Sequence, residues 1–175
     1  MEIQKEIQII CGTLRIQNLS NFLKAVNSIA SENEVIIQGL NADLFAGERH
    51  LHFAVGKALR AINAGRNIAK NPGIEIMRYA AGERQIDRSF SIGLCDGKNN
   101  AVFVLLGEMD HLILASSAIR KLIEEKPCSE LLAYSDSKKK GILSLFEITN
   151  AEIEASGKES IPELVIERVA LADFL

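Results

Sequence analysis

The chain has 175 residues and a net charge of −3, and its length fits one compact domain spanning residues 1–175. With 47% hydrophobic, 25% charged and 5% aromatic residues, the composition is that of an ordinary globular protein and excludes an extended disordered chain. The negative net charge also argues against a general nucleic-acid binder.

The first part of the chain predicts two strands and two helices. Residues 7–16 alternate between polar and apolar side chains and predict a strand. Residues 20–30 have apolar side chains at helical spacing, and residues 34–38 predict a second short strand. Residues 48–64 predict the clearest helix, because apolar side chains recur at steps of three and four and Gly65 follows as a helix C-terminal glycine.

The middle of the chain predicts a turn followed by short elements. The sequence Asn-Pro-Gly at residues 71–73 is typical of a turn, and residues 74–79 then predict a strand. A short helix is expected at about residues 83–92. Residues 101–106 are apolar without alternation, which indicates a strand in the centre of a sheet.

The last part of the chain is predicted to be helical. Helices are expected at residues 111–125 and 135–146, and two capping boxes, at residues 149–152 and 160–163, open two further helices. The last of these extends to about residue 174. This order of elements predicts an α/β fold of α+β-like arrangement, with a small mixed or antiparallel sheet covered by helices and a helical C-terminal portion.

The cysteines and the N-terminal segment indicate a cytoplasmic location. Cys11, Cys95 and Cys128 are odd in number and form no C-x-x-C pair, so we expect buried or half-buried free thiols and neither a disulfide framework nor a zinc knuckle. The N-terminal residues lack the order of a signal peptide, and charged residues interrupt the apolar run at 101–123. A soluble protein without membrane contact is therefore expected.

The residue types that usually carry catalysis form no recognisable constellation. His50 and His52 lie about 200° apart around a helix and cannot share a metal there, and His111 has no acidic or cysteine partner at ligand spacing. Gly56-Lys57 lacks the other residues of a phosphate-binding loop. We therefore predict no catalytic residue, no metal and no cofactor, and a protein that is not an enzyme.

Basic residues are concentrated between Glu48 and Arg88. That segment contains eight basic and four acidic residues and has a net charge of +4, whereas the rest of the chain has a net charge of −7. A local positive field on an acidic body can steer a polyanion to one place.

A polar row runs along the predicted helix at residues 48–64. His52, Gly56 and Arg60 follow one another at steps of four, with Lys57 beside them. Glycine inside a helix costs about 1 kcal/mol relative to alanine. Gly56 therefore either admits a ligand or another backbone, or makes a packing contact with a neighbouring helix, and the sequence leaves both open.

Two loops add further polar groups. Arg66 and Asn67 lie at the exit turn of this helix. Residues 80–86, between a predicted strand and a predicted helix, contain small residues whose backbone N–H groups suit a phosphate. Arg84 and Gln85 in the same loop can contact a phosphate or a base edge.

Together these segments carry a resemblance. Residues 44–86, LFAGERHLHFAVGKALRAINAGRNIAKNPGIEIMRYAAGERQI, resemble the small accessory subunit of the KEOPS complex, the PRPK-binding protein family. The matching elements are the histidine-bearing helix, KALRA, GRNIA, GIEI and AGERQI, and the later segments FEITNAEIE and ELVIERVALADF match in kind. The resemblance covers nearly the whole chain.

The resemblance implies both partners and RNA-binding residues. Members of the family fold as one α/β domain, are not enzymes, and bind the PRPK-type atypical kinase/ATPase of KEOPS and, through it, the threonylcarbamoyl transferase. The complex installs threonylcarbamoyl on the adenosine beside the anticodon of tRNAs, and the subunit is implied to bind tRNA, including its single-stranded 3′ CCA end. The residues implied to bind RNA are Lys57, Arg60, Arg66, Asn67, Ile68, Gly82, Glu83, Arg84, Gln85 and Ile86.

Few aromatic side chains accompany these residues. Single-stranded ends are usually held by phosphate contacts together with stacking. We therefore expect Ile68, Ile86 and the planes of the arginines to supply the stacking surface.

The last helix is the predicted site for the kinase. Its apolar residues occupy more than one face, so that one face can pack on the domain while another docks into a partner, and the kinase contact of the family involves this region. A helix wholly buried in the core is the alternative. The residues of this predicted site are Leu164, Val165, Arg168, Val169, Leu171 and Ala172.

Three functional hypotheses follow. The first is a non-catalytic subunit that binds the kinase and recruits tRNA. The second is a purely regulatory or scaffolding activator of the kinase without RNA contact. The third is a small-molecule enzyme that binds an anionic substrate between Arg66 and Arg84.

Overall fold

A computed structural model describes residues 5–157 and 160–174, which fall into two compact units. Unit 1 lies within Met1–Ala42 and Gly93–Leu131, and unit 2 lies within Asp43–Ile92 and Leu132–Leu175. The expectation of a single domain over residues 1–175 stays a prediction.

Unit 1 is built on a four-stranded antiparallel sheet in the order β2-β3-β1-β4. Its strands are β1 (Glu6–Ile16), β2 (Ile36–Asn41), β3 (Gly97–Gly107) and β4 (Glu124–Glu125). β3 pairs with the whole of β1, and every residue at positions 101–107 is buried. The predicted central position of this strand and the predicted α/β fold with a small antiparallel sheet are confirmed.

The helices of unit 1 pack on this sheet. They are α1 (Leu19–Glu32), α5 (Met109–Arg120) and α6 (Cys128–Leu131). Asn18 caps α1 by accepting a hydrogen bond from the Asn21 N–H at 2.9 Å, and the apolar side of the helix follows at helical spacing. Val26 of α1, Phe103 of β3 and Leu112 of α5 lie in one buried apolar cluster.

A disulfide joins Cys11 of β1 to Cys128 of α6, with their Cα atoms 5.2 Å apart. The prediction of unpaired thiols is therefore wrong for this pair. The two residues are separated by 117 positions, and they meet because β4 pairs with the edge of β1 and the Lys126 N–H donates to the Cys11 carbonyl at 2.9 Å. Cys95 is free, as predicted, but exposed.

Unit 2 consists of helices. They are α2 (Glu48–Asn63), α3 (Pro72–Ala80), α4 (Ile86–Ser89), α7 (Asp136–Leu145), α8 (Asn150–Ser156) and α9 (Ile161–Leu171). α2 packs against both α3 and α9 and buries one face. The buried residues of that face are His50, Leu51, Ala54, Val55, Ala58 and Ala61.

Helix α3 replaces the strand that we predicted at residues 74–79. The Asn71 side chain accepts hydrogen bonds from the N–H groups of Gly73 and Ile74, at 2.8 and 3.2 Å, and thereby caps the helix. Pro72 occupies the first helical position, where no N–H is needed. The Asn-Pro-Gly sequence is thus the start of a helix and not a free turn.

Two other predicted helices are shorter than expected. The helix predicted at 111–125 ends at Arg120, because the chain then extends to pair as β4 with the edge of β1. The helix predicted at 83–92 is shortened to α4 and a 3-10 turn at Phe90–Ile92. Within the described residues, none of the helices has the length and apolar character needed to cross a membrane.

The two predicted capping boxes differ in outcome. At the start of α8, the Glu152 N–H donates to the Thr149 hydroxyl at 3.2 Å and the Thr149 N–H donates to the Glu152 carboxylate at 2.8 Å, which confirms the first box. At the start of α9, the Ser160 hydroxyl donates to the Gly157 carbonyl and makes no capping bond to the helix. The second box is therefore wrong, and α9 ends at Leu171 and not near residue 174.

Candidate functional site

His50 fixes the start of α2 against the end of α3. The Ala46 N–H donates to its Nδ1 at 3.2 Å, so Nε2 carries the proton and donates to the Ala80 carbonyl at 2.8 Å. The ring lies between Phe45 and Phe146, with centroids 4.6 and 5.4 Å away. Burial lowers the pKa of His50 to about 4, so the ring is neutral at physiological pH and has a structural role.

The other histidines lie at the surface. His52 is exposed on α2, and His111 lies 3.9 Å from the carboxylate of Glu34 in unit 1. Within residues 5–157 and 160–174, no group of three or more His, Cys, Asp or Glu side chains is arranged to hold a metal ion.

A buried ion pair in α3 holds both loops that were predicted to bind RNA. The Arg78 guanidinium donates to the Glu75 carboxylate at 2.9 and 3.3 Å, and both side chains are almost completely buried. Glu75 also accepts hydrogen bonds from the N–H groups of Ile68 and Ala69, at 3.3 and 2.8 Å. Arg78 donates to the Glu83 carbonyl at 2.9 Å. The loop before α3 and the loop after it are therefore tied to one helix.

The charge of Arg78 is maintained inside the protein. Burial alone would lower the pKa of Arg78, but the hydrogen bonds and the negative charge of Glu75 outweigh burial and raise that pKa above its ordinary value. Neither residue was predicted from the sequence as part of the site, because residues 74–79 were expected to form a strand. On a helix the two are three positions apart and face each other.

Four of the eight basic residues in the segment from Glu48 to Arg88 take part in ion pairs. The pairs are Arg49 with Glu163, Lys57 with Asp173, Arg78 with Glu75 and Asp173, and Arg88 with Glu83 and Glu147. The other four are exposed and make no ion pair with any residue in the described part of the chain. These four are Arg60, Arg66, Lys70 and Arg84.

Three of the predicted RNA-binding residues line one cleft of unit 2, with a volume of about 260 Å³, which we call the basic cleft. Its lining consists of Phe53, Lys57, Arg60, Ala61, Arg66, Tyr79 and Asp173. Lys57 differs from the two arginines because its Nζ lies 3.0 Å from the Asp173 carboxylate and donates to the Ala170 carbonyl at 2.8 Å. Three further lining residues, Phe53, Tyr79 and Asp173, were not predicted from the sequence.

The space over Gly56 is taken by its own helix. A Cβ at this position would lie 3.2 Å from Nη1 of Arg60, and no atom of another element comes within 4 Å of it in the described residues. Neither another backbone nor a neighbouring helix lies over this glycine in the described residues, and the approach of a ligand stays a prediction. Gly56 instead lets the Arg60 guanidinium lie along α2.

The second predicted loop lines another cleft of unit 2, with a volume of about 310 Å³, which we call the loop cleft. Its lining consists of Ala81, Gly82, Glu83, Arg84, Gln85, Arg88, Leu145, Phe146, Glu147, Arg168 and Leu171. Gly82 has a φ of +63°, and a Cβ there would lie 3.3 Å from the Phe146 ring and 3.4 Å from Arg168. Arg84 and Gln85 are exposed.

The backbone N–H groups of this loop are not available in the way we predicted. The loop joins two helices, and the N–H groups of Ala81, Gly82 and Glu83 donate to carbonyls of α3 at 2.9 to 3.0 Å. They close the helix and do not face a ligand. What the loop presents is the pair of side chains at Arg84 and Gln85.

Asn67, Ile68 and Ile86 line neither cleft. The Asn67 amide donates to the Ala69 carbonyl at 2.9 Å and shapes the loop. Ile68 is 44% exposed, and Ile86 is half-buried. The structure thus divides the predicted RNA-binding residues among two clefts, the loop before α3 and the start of α4.

Helix α9 contributes to the loop cleft and buries most of its predicted partner-binding residues. Leu164, Val165, Val169 and Ala172 are buried. Arg168 is half-buried, since it donates to Glu152 at 2.6 Å and to the Phe146 carbonyl at 3.1 Å. Leu171 remains 40% exposed, and Phe174, which the sequence analysis did not include, is 80% exposed.

The Arg168 ion pair fixes the start of α8. Hydrogen bonds from the Thr149 backbone and from Arg168 lower the pKa of Glu152 to about 2. Arg168 therefore connects α9 to α8 and to the chain after α7, and its guanidinium is already bonded.

Exposed guanidinium groups on two clefts are able to bind anions, and exposed apolar side chains at a helix end are able to bind a protein surface. A family model described as "Kinase binding protein CGI-121" matches residues 15–173, and the chain belongs to this family. The resemblance to the PRPK-binding family is thereby confirmed. No curated protein matches the chain.

Proposed function

We propose that this chain is a non-catalytic accessory subunit of a KEOPS-type complex for threonylcarbamoyladenosine synthesis in tRNA. In this role it binds a PRPK-type kinase/ATPase, is linked through that kinase to the threonylcarbamoyl transferase, and recruits tRNA by its 3′ CCA end in the cytoplasm. The observation that carries the proposal is membership of a kinase-binding family over residues 15–173.

The tRNA part of the proposal is supported by the exposed cations of unit 2. Arg60 and Arg66 lie in the basic cleft and Arg84 in the loop cleft, and none of them makes an ion pair with a described residue. A planar guanidinium can form two hydrogen bonds to one phosphate, so these side chains suit an RNA backbone. Ile68 is exposed and offers apolar surface to unstacked bases.

The kinase part of the proposal concerns the end of α9. The buried residues of the helix, Val165 and Val169 among them, hold it in unit 2. Leu171 and Phe174 remain exposed, and large apolar side chains of this kind dominate the centres of protein interfaces. We place the kinase contact on these two residues.

The first experiment compares tRNA affinity between wild type and Arg66→Glu/Arg84→Glu. The affinity is expected to fall about tenfold or more at moderate salt, because two phosphate-binding cations become repulsive. The matched control is Arg15→Glu/Lys139→Glu, which makes the same change in net charge at two exposed residues outside both clefts and is expected to keep the affinity. Gel-shift titration with tRNA, with and without the CCA end, measures both.

The same variants are tested for retention of a PRPK-type kinase. Arg66→Glu/Arg84→Glu is expected to bind the kinase as wild type does, whereas Leu171→Glu is expected to weaken that binding. Equal affinity for tRNA with and without the CCA end would contradict the proposal that this chain binds the 3′ end. A wild-type protein that binds the kinase but no tRNA would instead favour the scaffolding function.

A further inference from the structure

The basic cleft already contains an anion from its own chain. The Asp173 carboxylate accepts a hydrogen bond from the Tyr79 hydroxyl, lies 3.0 Å from the Lys57 Nζ, and lies 3.6 Å from the Arg78 guanidinium. Three donors from two different helices, α2 and α3, thus converge on one carboxylate. An ammonium, a guanidinium and a hydroxyl are also the donors that bind a phosphate group.

Each donor is held in place by other contacts. Lys57 is fixed by the Ala170 carbonyl, and Arg78 is fixed by Glu75. Burial raises the pKa of Tyr79 to about 12, so its hydroxyl keeps the proton that it donates. The donor set therefore stays assembled when its anion is exchanged.

Asp173 itself is held less firmly than its donors. It lies two residues beyond Leu171, the last residue of α9. Its side chain is 39% exposed, whereas the Lys57 and Arg78 side chains are 15% and 1% exposed. The next residue, Phe174, is 80% exposed. A turn at the end of a helix can move without disturbing the buried part of the helix.

We propose that Asp173 occupies a phosphate-binding position of the basic cleft, and that a phosphate of an incoming nucleic acid displaces it. The inference rests on the proposed function in one respect, namely that the phosphate belongs to tRNA. The donor set binds either the carboxylate or the phosphate, so the free cleft is autoinhibited by the end of α9.

Displacement also links the two binding surfaces. Asp173 is two residues from Leu171, on which we place the kinase contact. A kinase that moves the end of α9 away from Lys57 would raise the affinity for RNA, and RNA would raise the affinity for the kinase by the same factor.

The test compares wild type, Asp173→Asn and Glu167→Gln with two probes, a tRNA transcript and inorganic tripolyphosphate. Asp173→Asn removes the charge and keeps an oxygen to accept from Tyr79, so we expect about three- to tenfold tighter binding of both probes. Glu167 is an exposed acid of α9 that lines neither cleft, and its substitution removes the same charge. Less than a twofold change is expected for this control.

A second measurement needs no variant. In the wild type, saturation with tripolyphosphate is expected to speed amide hydrogen exchange at residues 171–174, because the end of α9 is released. A double-variant comparison is a separate check. Asp173→Asn is expected to bring a smaller gain in a Lys57→Gln background than in wild type, because one of the three donors that bind either anion is already absent.

Three results would overturn the inference. They are equal effects of Asp173→Asn and Glu167→Gln, no binding of tripolyphosphate by either wild type or Asp173→Asn, and unchanged or slower exchange at residues 171–174. A gain with tripolyphosphate together with no tRNA binding by any variant would uphold the inference and reject the tRNA part of the proposed function.

Discussion

His50 has both ring nitrogens in hydrogen bonds with the backbone and lies between two phenylalanine rings. A charged ring there would lose the acceptor at Nδ1 and would be poorly solvated. The folded state therefore excludes the proton that the unfolded chain accepts near pH 6.5. This residue ties the proposed RNA-binding loop after Ala80 to the stability of the whole unit.

Stability is expected to fall as the pH drops from about 6.5 to about 4, because the unfolded state binds a proton at His50 and the folded state does not. Above pH 6.5 both states are neutral and the effect is absent. The difference between a pKa of 6.5 and one of about 4 corresponds to about 3 kcal/mol. Urea unfolding at several pH values, with wild type and His50→Gln, measures it.

The variant is expected to show a flatter pH dependence than wild type in this window, whatever its stability at pH 7. Glu152 has a pKa lowered to about 2 and contributes in a lower window, below about pH 4.5, so the two groups can be separated. Parallel curves for the two proteins between pH 6.5 and 4 would contradict the role of His50.

The start of α3 shows what the sequence could have indicated. Asparagine before proline is a turn signal, but it is also the N-cap and first position of a helix, and Asn71 and Pro72 have these roles. With that reading, Glu75 and Arg78 fall at the spacing of a helical ion pair. The periodic helices α1 and α2 were predicted correctly because their apolar spacing allowed only one assignment.

The residues of the basic cleft could be predicted only in part. The cations Lys57, Arg60 and Arg66 follow one another along α2 and its exit loop, so local sequence places them together. Asp173 lies more than a hundred residues further on and reaches Lys57 only through the packing of α9 on α2. Contacts of this kind depend on tertiary structure, and no local pattern records them.

At the scale of elements, the Cys11–Cys128 disulfide fastens α6 and β4 to the edge of the sheet. A cross-link over 117 positions restricts the unfolded chain strongly, by about 4 to 5 kcal/mol in the chain-entropy treatment. We expect reduction, or Cys128→Ser, to lower the free energy of unfolding by about this amount and to lower the unfolding midpoint accordingly. Thermal and guanidinium unfolding with and without a reducing agent measures this effect.

Cys95→Ser is the matched control, because Cys95 is exposed and free and its loss leaves the cross-link intact. Thiol labelling of the unfolded, unreduced protein should detect one reactive cysteine, and three after reduction. Equal stability in the presence and absence of the reducing agent would show that the bond contributes nothing.

At the scale of the whole molecule, the charge pattern confines the proposed RNA binding to one part of the surface. The chain has a net charge of −3, but Arg60, Arg66, Lys70 and Arg84 remain exposed and outside ion pairs with described residues. The positive field of the basic segment is thus weaker than eight cations would give, because half of them are neutralised in ion pairs. Because salt screens charges over about a Debye length, the field of these four cations acts close to unit 2.

The logarithm of tRNA affinity is expected to fall with the logarithm of salt concentration, with a slope of about −3 for four phosphate contacts. Arg66→Glu/Arg84→Glu should reduce the magnitude of the slope by at least about 1.5, whereas Arg15→Glu/Lys139→Glu should leave it unchanged. Filter binding between low and physiological salt provides the slopes. A slope near zero in the wild type would mean that these cations do not bind phosphates.

The position of α9 has a consequence for genetics. Its residue Arg168 lines the loop cleft, and Asp173 just beyond it lines the basic cleft. A random screen for alleles that lose only the proposed kinase contact should therefore recover few from this stretch, because most substitutions there should also disturb the proposed RNA binding. Substitutions that affect only the proposed RNA binding are expected on α2 and at Arg84. A substitution at Phe174 is the best candidate for affecting only the proposed kinase contact.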